Sequence, residues 1–175
     1  MTTANNFIVL NIREYLGGED NRLGEDHLKQ LLSEFSCPLN PDAELLGYFS
    51  ITIKPLVINA EPFSNTTKRK LSRFSEIDKD EQTFHIAAYL IAQLGKNFKN
   101  NANKKISGNQ LLETAIKQTQ LLQYQTGGMV TFVETDNKKE LLSFYKNYGF
   151  KRFDIRQSTS KDRESHELVQ LLKLI

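Results

Sequence analysis

The chain has 175 residues, 39% of them hydrophobic and 25% charged, which fits a single globular domain with a real core. Its formal net charge of +2 is too small to argue for a nucleic-acid partner by itself, and no apolar run approaches the ~20 residues of a membrane span. A lone cysteine, Cys37, excludes an internal disulfide and a cysteine-held metal cluster. The first residues, MTTANNFIVL, lack a basic segment followed by a long apolar one, so no secretory signal is expected and the cytoplasm is the default compartment.

In chain order, Ile8, Leu10 and Ile12 alternate within Phe7 to Tyr15, which predicts a first strand. Gly17, Gly18 and Asp20 break it. A helix follows with Leu28, Leu31, Leu32 and Phe35 on one face, ended by Pro38 and Pro41. Leu45 to Ile58 is aromatic and β-branched, predicting one strand or two hinged at Pro55. Residues 59–83 read as a long polar loop with a short helix at Arg69 to Phe74. The bland reading of Lys68-Arg69-Lys70 is a solvated surface. Residues 84–97 predict a strand, 98–108 a loop and 109–125 a helix. That helix carries a stripe of Leu111, Leu112, Ala115, Ile116, Thr119 and Leu122, and Gly127-Gly128 stops it. Met129 to Glu134 predicts a strand. Asp136-Asn137 marks a turn that caps a helix over 138–148, with Gly149 just past its end. Phe150 to Arg156 and Glu167 to Ile175 predict two last strands, joined by a polar turn from Ser158 to Ser165. The sum is one mixed α/β (α+β) domain over residues 1–175, built on a mainly antiparallel sheet.

The strand, loop and helix from Phe84 to Gln125 organise the rest. A basic, glycine-containing loop that opens into a helix is a ready anion site, because the first helical amides are unpaired and lie at the positive end of the macrodipole. Lys104, Lys105, Ser107 and Gly108 are the expected contacts for a phosphate-bearing ligand. The alternative is an ordinary polar turn with a helix cap.

Two segments make the chain resemble the GNAT family of acyl-CoA N-acyltransferases, its toxin-like branch in particular. The first is Asn103-Lys104-Lys105-Ile106-Ser107-Gly108 followed by Leu111-Leu112. It is similar to the family's Arg/Gln-x-x-Gly-x-Gly/Ala loop, with Ile106 at the first glycine and Asn103 in place of Arg or Gln. The second is Phe144-Tyr145-Lys146-Asn147-Tyr148-Gly149-Phe150, close to the family's Phe-Tyr-x-x-x-Gly-Phe. Gly47-Tyr48-Phe49 before a long loop resembles the toxin-like branch. The resemblance implies the GNAT fold, a mostly antiparallel mixed sheet flanked by helices. Its second helix and strand would be shortened, since only Cys37 to Leu46 is available for them.

It also implies acetyl-CoA as cosubstrate and direct transfer of the acetyl group to an amine. Lys104, Lys105, Ile106, Ser107, Gly108 and Asn109 would hold the pyrophosphate, largely through backbone amides. The amide near Leu94 would polarise the thioester carbonyl, and Gly95 and Lys96 would present backbone to pantetheine. Gly95 suits a bulge or a splay. Tyr145 would be the general acid, since a phenol of pKa about 10 can protonate a thiolate of pKa about 8.5. Glu134 is one candidate general base and His85 another, while solvent or an already neutral amine would serve as well. The acceptor is a small-molecule or protein amine, or aminoacyl-tRNA in a toxin with an antitoxin partner. A homodimer paired through strand edges fits such a fold. The rival reading is a degenerate GNAT-fold module that binds CoA or a protein without turnover.

Overall fold

The computed structural model describes residues 8–10, 46–75, 77–160 and 163–175. The helix expected at Leu28 to Phe35, and Cys37 with residues 38–45 ahead of Gly47, lie outside the described residues.

Among the described residues, seven strands form one sheet: β1 (Ile8–Leu10), β2 (Gly47–Asn59), β3 (Ile77–Asp78), β4 (Thr83–Lys96), β5 (Val130–Asp136), β6 (Lys151–Ser160) and β7 (Arg163–Leu174). Their spatial order is β1-β2-β4-β5-β7-β6, and β3 pairs with the start of β4. The pairs β2·β4, β5·β7 and β6·β7 are antiparallel, whereas β1·β2 and β4·β5 are parallel. Among the described residues, three α-helices flank this sheet: α1 (Asn65–Leu71), α2 (Gly108–Thr126) and α3 (Lys139–Asn147). The mixed, mostly antiparallel sheet flanked by helices that the GNAT resemblance implies is what the chain forms. Among the described residues, no helix is long and apolar enough to cross a membrane.

Period-two alternation splits the sheet into two faces. On one, Phe49, Ile51, Tyr89, Ile91, Val133, Val169 and Leu171 pack with Leu111, Leu112, Ala115 and Ile116 of α2. On the other, Ile58, Phe84, Leu90, Val130, Phe132 and Leu172 pack with Leu71 of α1. Fully buried side chains such as Leu112 each contribute about 1.5–3 kcal/mol of apolar burial. The stripe read from the sequence is thus the core face of α2, with Leu122 only half-buried. The end of α2 is pinned: the Tyr89 hydroxyl donates to the Gly127 carbonyl and meets Thr126 Oγ1 at 2.7 Å. Gly127 and Gly128, at φ of 80° and 89°, turn the chain there, as residues with a Cβ rarely do.

Several boundaries differ from the sequence reading. The stretch expected as one strand or two is the single strand β2, and Pro55 is no hinge; it sits opposite Ala87, beyond the residues that β1 pairs with among those described. The expected long loop contains α1, which starts at Asn65 because the Ser64 hydroxyl caps it by accepting from the Thr67 amide. Asp136 does not cap α3. It ends β5, and its carboxylate accepts from Lys138 Nζ at 2.9 Å, leaving Lys138 at the cap position with no side-chain cap bond. The polar turn at 158–165 shrinks, since β6 runs to Ser160 and β7 starts at Arg163.

Candidate active site

The parallel pair β4·β5 is short. It joins Tyr89 to Thr131 and Leu90 to Phe132, while β4 continues to Lys96 and β5 to Asp136. Past Leu90 and Phe132 the two strands part, and their facing edges carry no strand between them among the described residues. A bulge accompanies the parting. Ile51 pairs with Ile91 and Ser50 with Gln93, so Ala92 is the extra residue on β4. The bulge is thus at Ala92, and Gly95, expected to suit a bulge or a splay, lies on the stretch of β4 beyond the parting from β5. Gly95 lies in regular register opposite Tyr48, and its missing side chain admits the Tyr48 ring, 3.1 Å from where a Cβ would stand.

The same close approach governs Gly47. A Cβ there would lie 2.9 Å from the Gly95 carbonyl oxygen, a backbone atom that cannot swing aside. Gly47→Ala is expected to cost about 1–3 kcal/mol of stability, which is a drop of about 2–12 °C in thermal midpoint for a domain of this size. Thermal unfolding followed by circular dichroism checks it, and an unchanged midpoint would show that β2 and β4 have room to separate.

The loop after β4 is ordered. A 3-10 helix, Lys99–Lys104, leads into Lys105, whose amide donates to the Ala102 carbonyl. Ala102 and Ile106 are buried and moor the loop to the core. Lys96 Nζ reaches back to the Asn103 carbonyl at 3.1 Å, tying the strand end to the loop. Ile106, standing where the family pattern has glycine, has an ordinary φ and turns its side chain inward. Lys104 and Lys105 are exposed.

Ser107 caps α2 in a full capping box. Its hydroxyl accepts from the Gln110 amide at 3.1 Å, and its own amide donates to Gln110 Oε1 at 2.9 Å. The Ser107 side chain and amide are thus engaged by the cap. The box leaves the Gly108 and Asn109 amides as the first-turn donors it does not engage.

Helix α3 stands beside this helix start. The Phe144 ring lies 3.7 Å from the position of a Gly108 Cβ. Tyr145 packs edge-on against Phe144 at 5.1 Å and Phe150 at 5.7 Å between ring centres. Burial pushes its phenol pKa above the ordinary value of 10.0. Tyr148, which carried no role in the sequence reading, links the helices: its hydroxyl donates to Glu113 of α2 at 3.0 Å, and its carbonyl accepts from Lys173 Nζ. Gly149, at φ of 82°, then turns the chain into β6.

Glu134 lies two residues past Phe132 and faces the α1 side of the sheet. Both its carboxylate oxygens accept from Arg156 Nη1, at 3.1 and 2.9 Å, and Oε1 also accepts from Gln170 Nε2 at 2.8 Å. The oxygens expected to collect a proton are therefore occupied by donors. A half-exposed ion pair of this kind adds at most ~1 kcal/mol to stability; its main effect is to fix the guanidinium. His85 is exposed near the start of β4, beside Thr83, Asp78 and Glu81. It lies roughly 20 Å along the strand from the Ala92 bulge, so the structure does not bring it to this site.

No family model and no curated protein matches this chain. Solved structures of similar course exist. One is a complex of a tyrosine-to-phenylalanine mutant of the toxin AtaT with the C-terminus of the antitoxin AtaR and acetyl-CoA, at 15% identity and a TM-score of 0.40. The match covers 74% of this chain and 60% of that one, so the chain spans less than two thirds of that relative. AtaT complexed with acetyl-methionyl-tRNA is similar at 15% identity and a TM-score of 0.47, covering 85% and 83% of the two chains. A Bacillus subtilis acetyltransferase in complex with CoA is similar at 17% identity and a TM-score of 0.38, covering 71% and 99%.

Proposed function

We propose that the chain is a GNAT-fold N-acetyltransferase that moves the acetyl group of acetyl-CoA directly to an amine. The observation that carries this reading is the parting of β4 from β5 directly beside the basic loop and the start of α2. Such an opening admits an extended chain like pantetheine, which can hydrogen-bond the freed strand edge around Leu94, Gly95 and Lys96 as an added strand would. The amides of Gly108 and Asn109 and the charges of Lys104 and Lys105 then receive the pyrophosphate.

In this reading the thioester lies near the Ala92 bulge, where an amide of β4 polarises its carbonyl oxygen. The amine nitrogen attacks the carbonyl carbon, the C–S bond breaks, and the thiolate leaves. Tyr145 donates its phenolic proton to that sulfur and is reprotonated from solvent. The attacking amine loses its proton to solvent, because the Glu134 carboxylate is held by Arg156 and Gln170. Aminoacyl-tRNA, with an antitoxin as partner, is one acceptor within this reading, and a small-molecule or protein amine is the other.

Isothermal titration with acetyl-CoA tests it, followed by detection of free thiol on adding amines. Micromolar binding is expected. A folded protein with no binding would leave an interaction module on this fold, and binding without thiol release on any amine would leave a CoA-binding one.

A further inference from the structure

Helices α2 and α3 fill one face of the sheet beside the opening. A second reactant must therefore come from the other face, and that face carries Glu134, Gln170 and Arg156 past Phe132. If the pairing of Leu90 with Phe132 continued, Ala92 would face Glu134. Glu134 thus stands on the lip of the opening, directly across from the bulge. Gln170 is its neighbour on β7 and is buried; Arg156 comes from β6, opposite Leu168, and points to the same face. To meet Glu134, the Arg156 side chain crosses β7 towards the opening.

Only Nη1 of that guanidinium is used. Both contacts to Glu134 come from it, and among the described residues Nε and Nη2 carry no hydrogen bond. Arg156 is half-exposed, with its side chain at 49% accessibility, against 15% for Glu134. A guanidinium fixed at one nitrogen and open on its other edge is a preformed fork for a planar oxyanion, and it loses little freedom on binding.

We propose that Arg156, positioned by Glu134 and Gln170, binds an oxyanion on the acceptor, so that the amine acetylated carries a carboxylate or phosphate close to its nitrogen. This rests on the acetyltransferase reading. Arg156 determines specificity and Glu134 positions it.

Two pairs of small amines test the inference on the whole chain: glycine against glycinamide, and phosphoethanolamine against ethanolamine. Thiol release is followed with wild type, Arg156→Ala and Arg156→Lys. Wild type should prefer the anionic member of at least one pair, and which pair shows the preference separates carboxylate from phosphate. Arg156→Ala should raise KM for that member about tenfold and leave KM for the neutral amine near that of wild type. Arg156→Lys should recover part of the loss. Acetyl-CoA affinity by titration should match wild type in both variants, which also reports that they fold. Intact acetyl-CoA binding with no preference for an anionic amine, or with an equal KM rise for both members of a pair, overturns the inference alone. Loss of acetyl-CoA binding in wild type overturns the acetyltransferase reading beneath it.

Discussion

Replacing Tyr145 by phenylalanine is expected to slow acetyl transfer about a hundredfold, the usual scale of a lost general acid, while acetyl-CoA affinity stays within about twofold. The substitution removes one hydroxyl and keeps the ring, so the edge-on contacts with Phe144 and Phe150 persist. Among the described residues that hydroxyl makes no hydrogen bond, so the fold loses no polar contact with it. Its burial raises its pKa, and the sign matters. A raised phenol pKa keeps the proton in place through neutral and mildly alkaline pH, so the acid form that the proposed transfer needs is present over that range. Wild-type kcat should therefore fall only above pH 10, the ordinary value for tyrosine, and that alkaline limb should vanish in the variant. Single-turnover thiol release against pH measures both effects. A variant as fast as wild type would show that the leaving thiolate takes its proton from water and that Tyr145 is packing.

What the sequence shows of this site follows from how far each feature reaches along the chain. The stripe from Leu111 to Thr119 is local, repeats with the helical period, and lands on the core face of α2. Ser107 with Gln110 three residues on is a capping-box spacing, equally local, although the pattern of a phosphate loop drew Ser107 toward a ligand instead. Ser64 before Thr67 held the start of α1, a signal overshadowed by the polar run around it. The site itself depends on register. The parting of β4 from β5 needs the knowledge that pairing stops at Leu90 and Phe132, and the bulge at Ala92 needs the count of residues against β2. Glu134, Arg156 and Gln170 lie on three strands and share a face only through two antiparallel registers. Read alone, Glu134 is a carboxylate at a strand end and a candidate general base. Its partner is far along the chain, and no spacing rule links them.

The double variant Lys104→Glu/Lys105→Glu is expected to weaken acetyl-CoA binding about a hundredfold, or ~2.7 kcal/mol. Each reversal turns an attraction for the pyrophosphate into a repulsion. At exposed positions a unit pair at contact distance is worth about 1 kcal/mol, so two reversals suffice for an effect of this size. Both side chains are exposed, and the buried Ala102 and Ile106 and the Lys96 contact to Asn103 moor the loop in either protein. The thermal midpoint should therefore stay near that of wild type, separating lost binding from lost structure. Because the attraction is screened at the surface, the gap between variant and wild type should narrow as salt rises from low ionic strength. Titration calorimetry at two salt concentrations reads both. If the variant binds as tightly as wild type, the pyrophosphate does not rest on this loop, and the amides of Gly108 and Asn109 lose their assigned role with it.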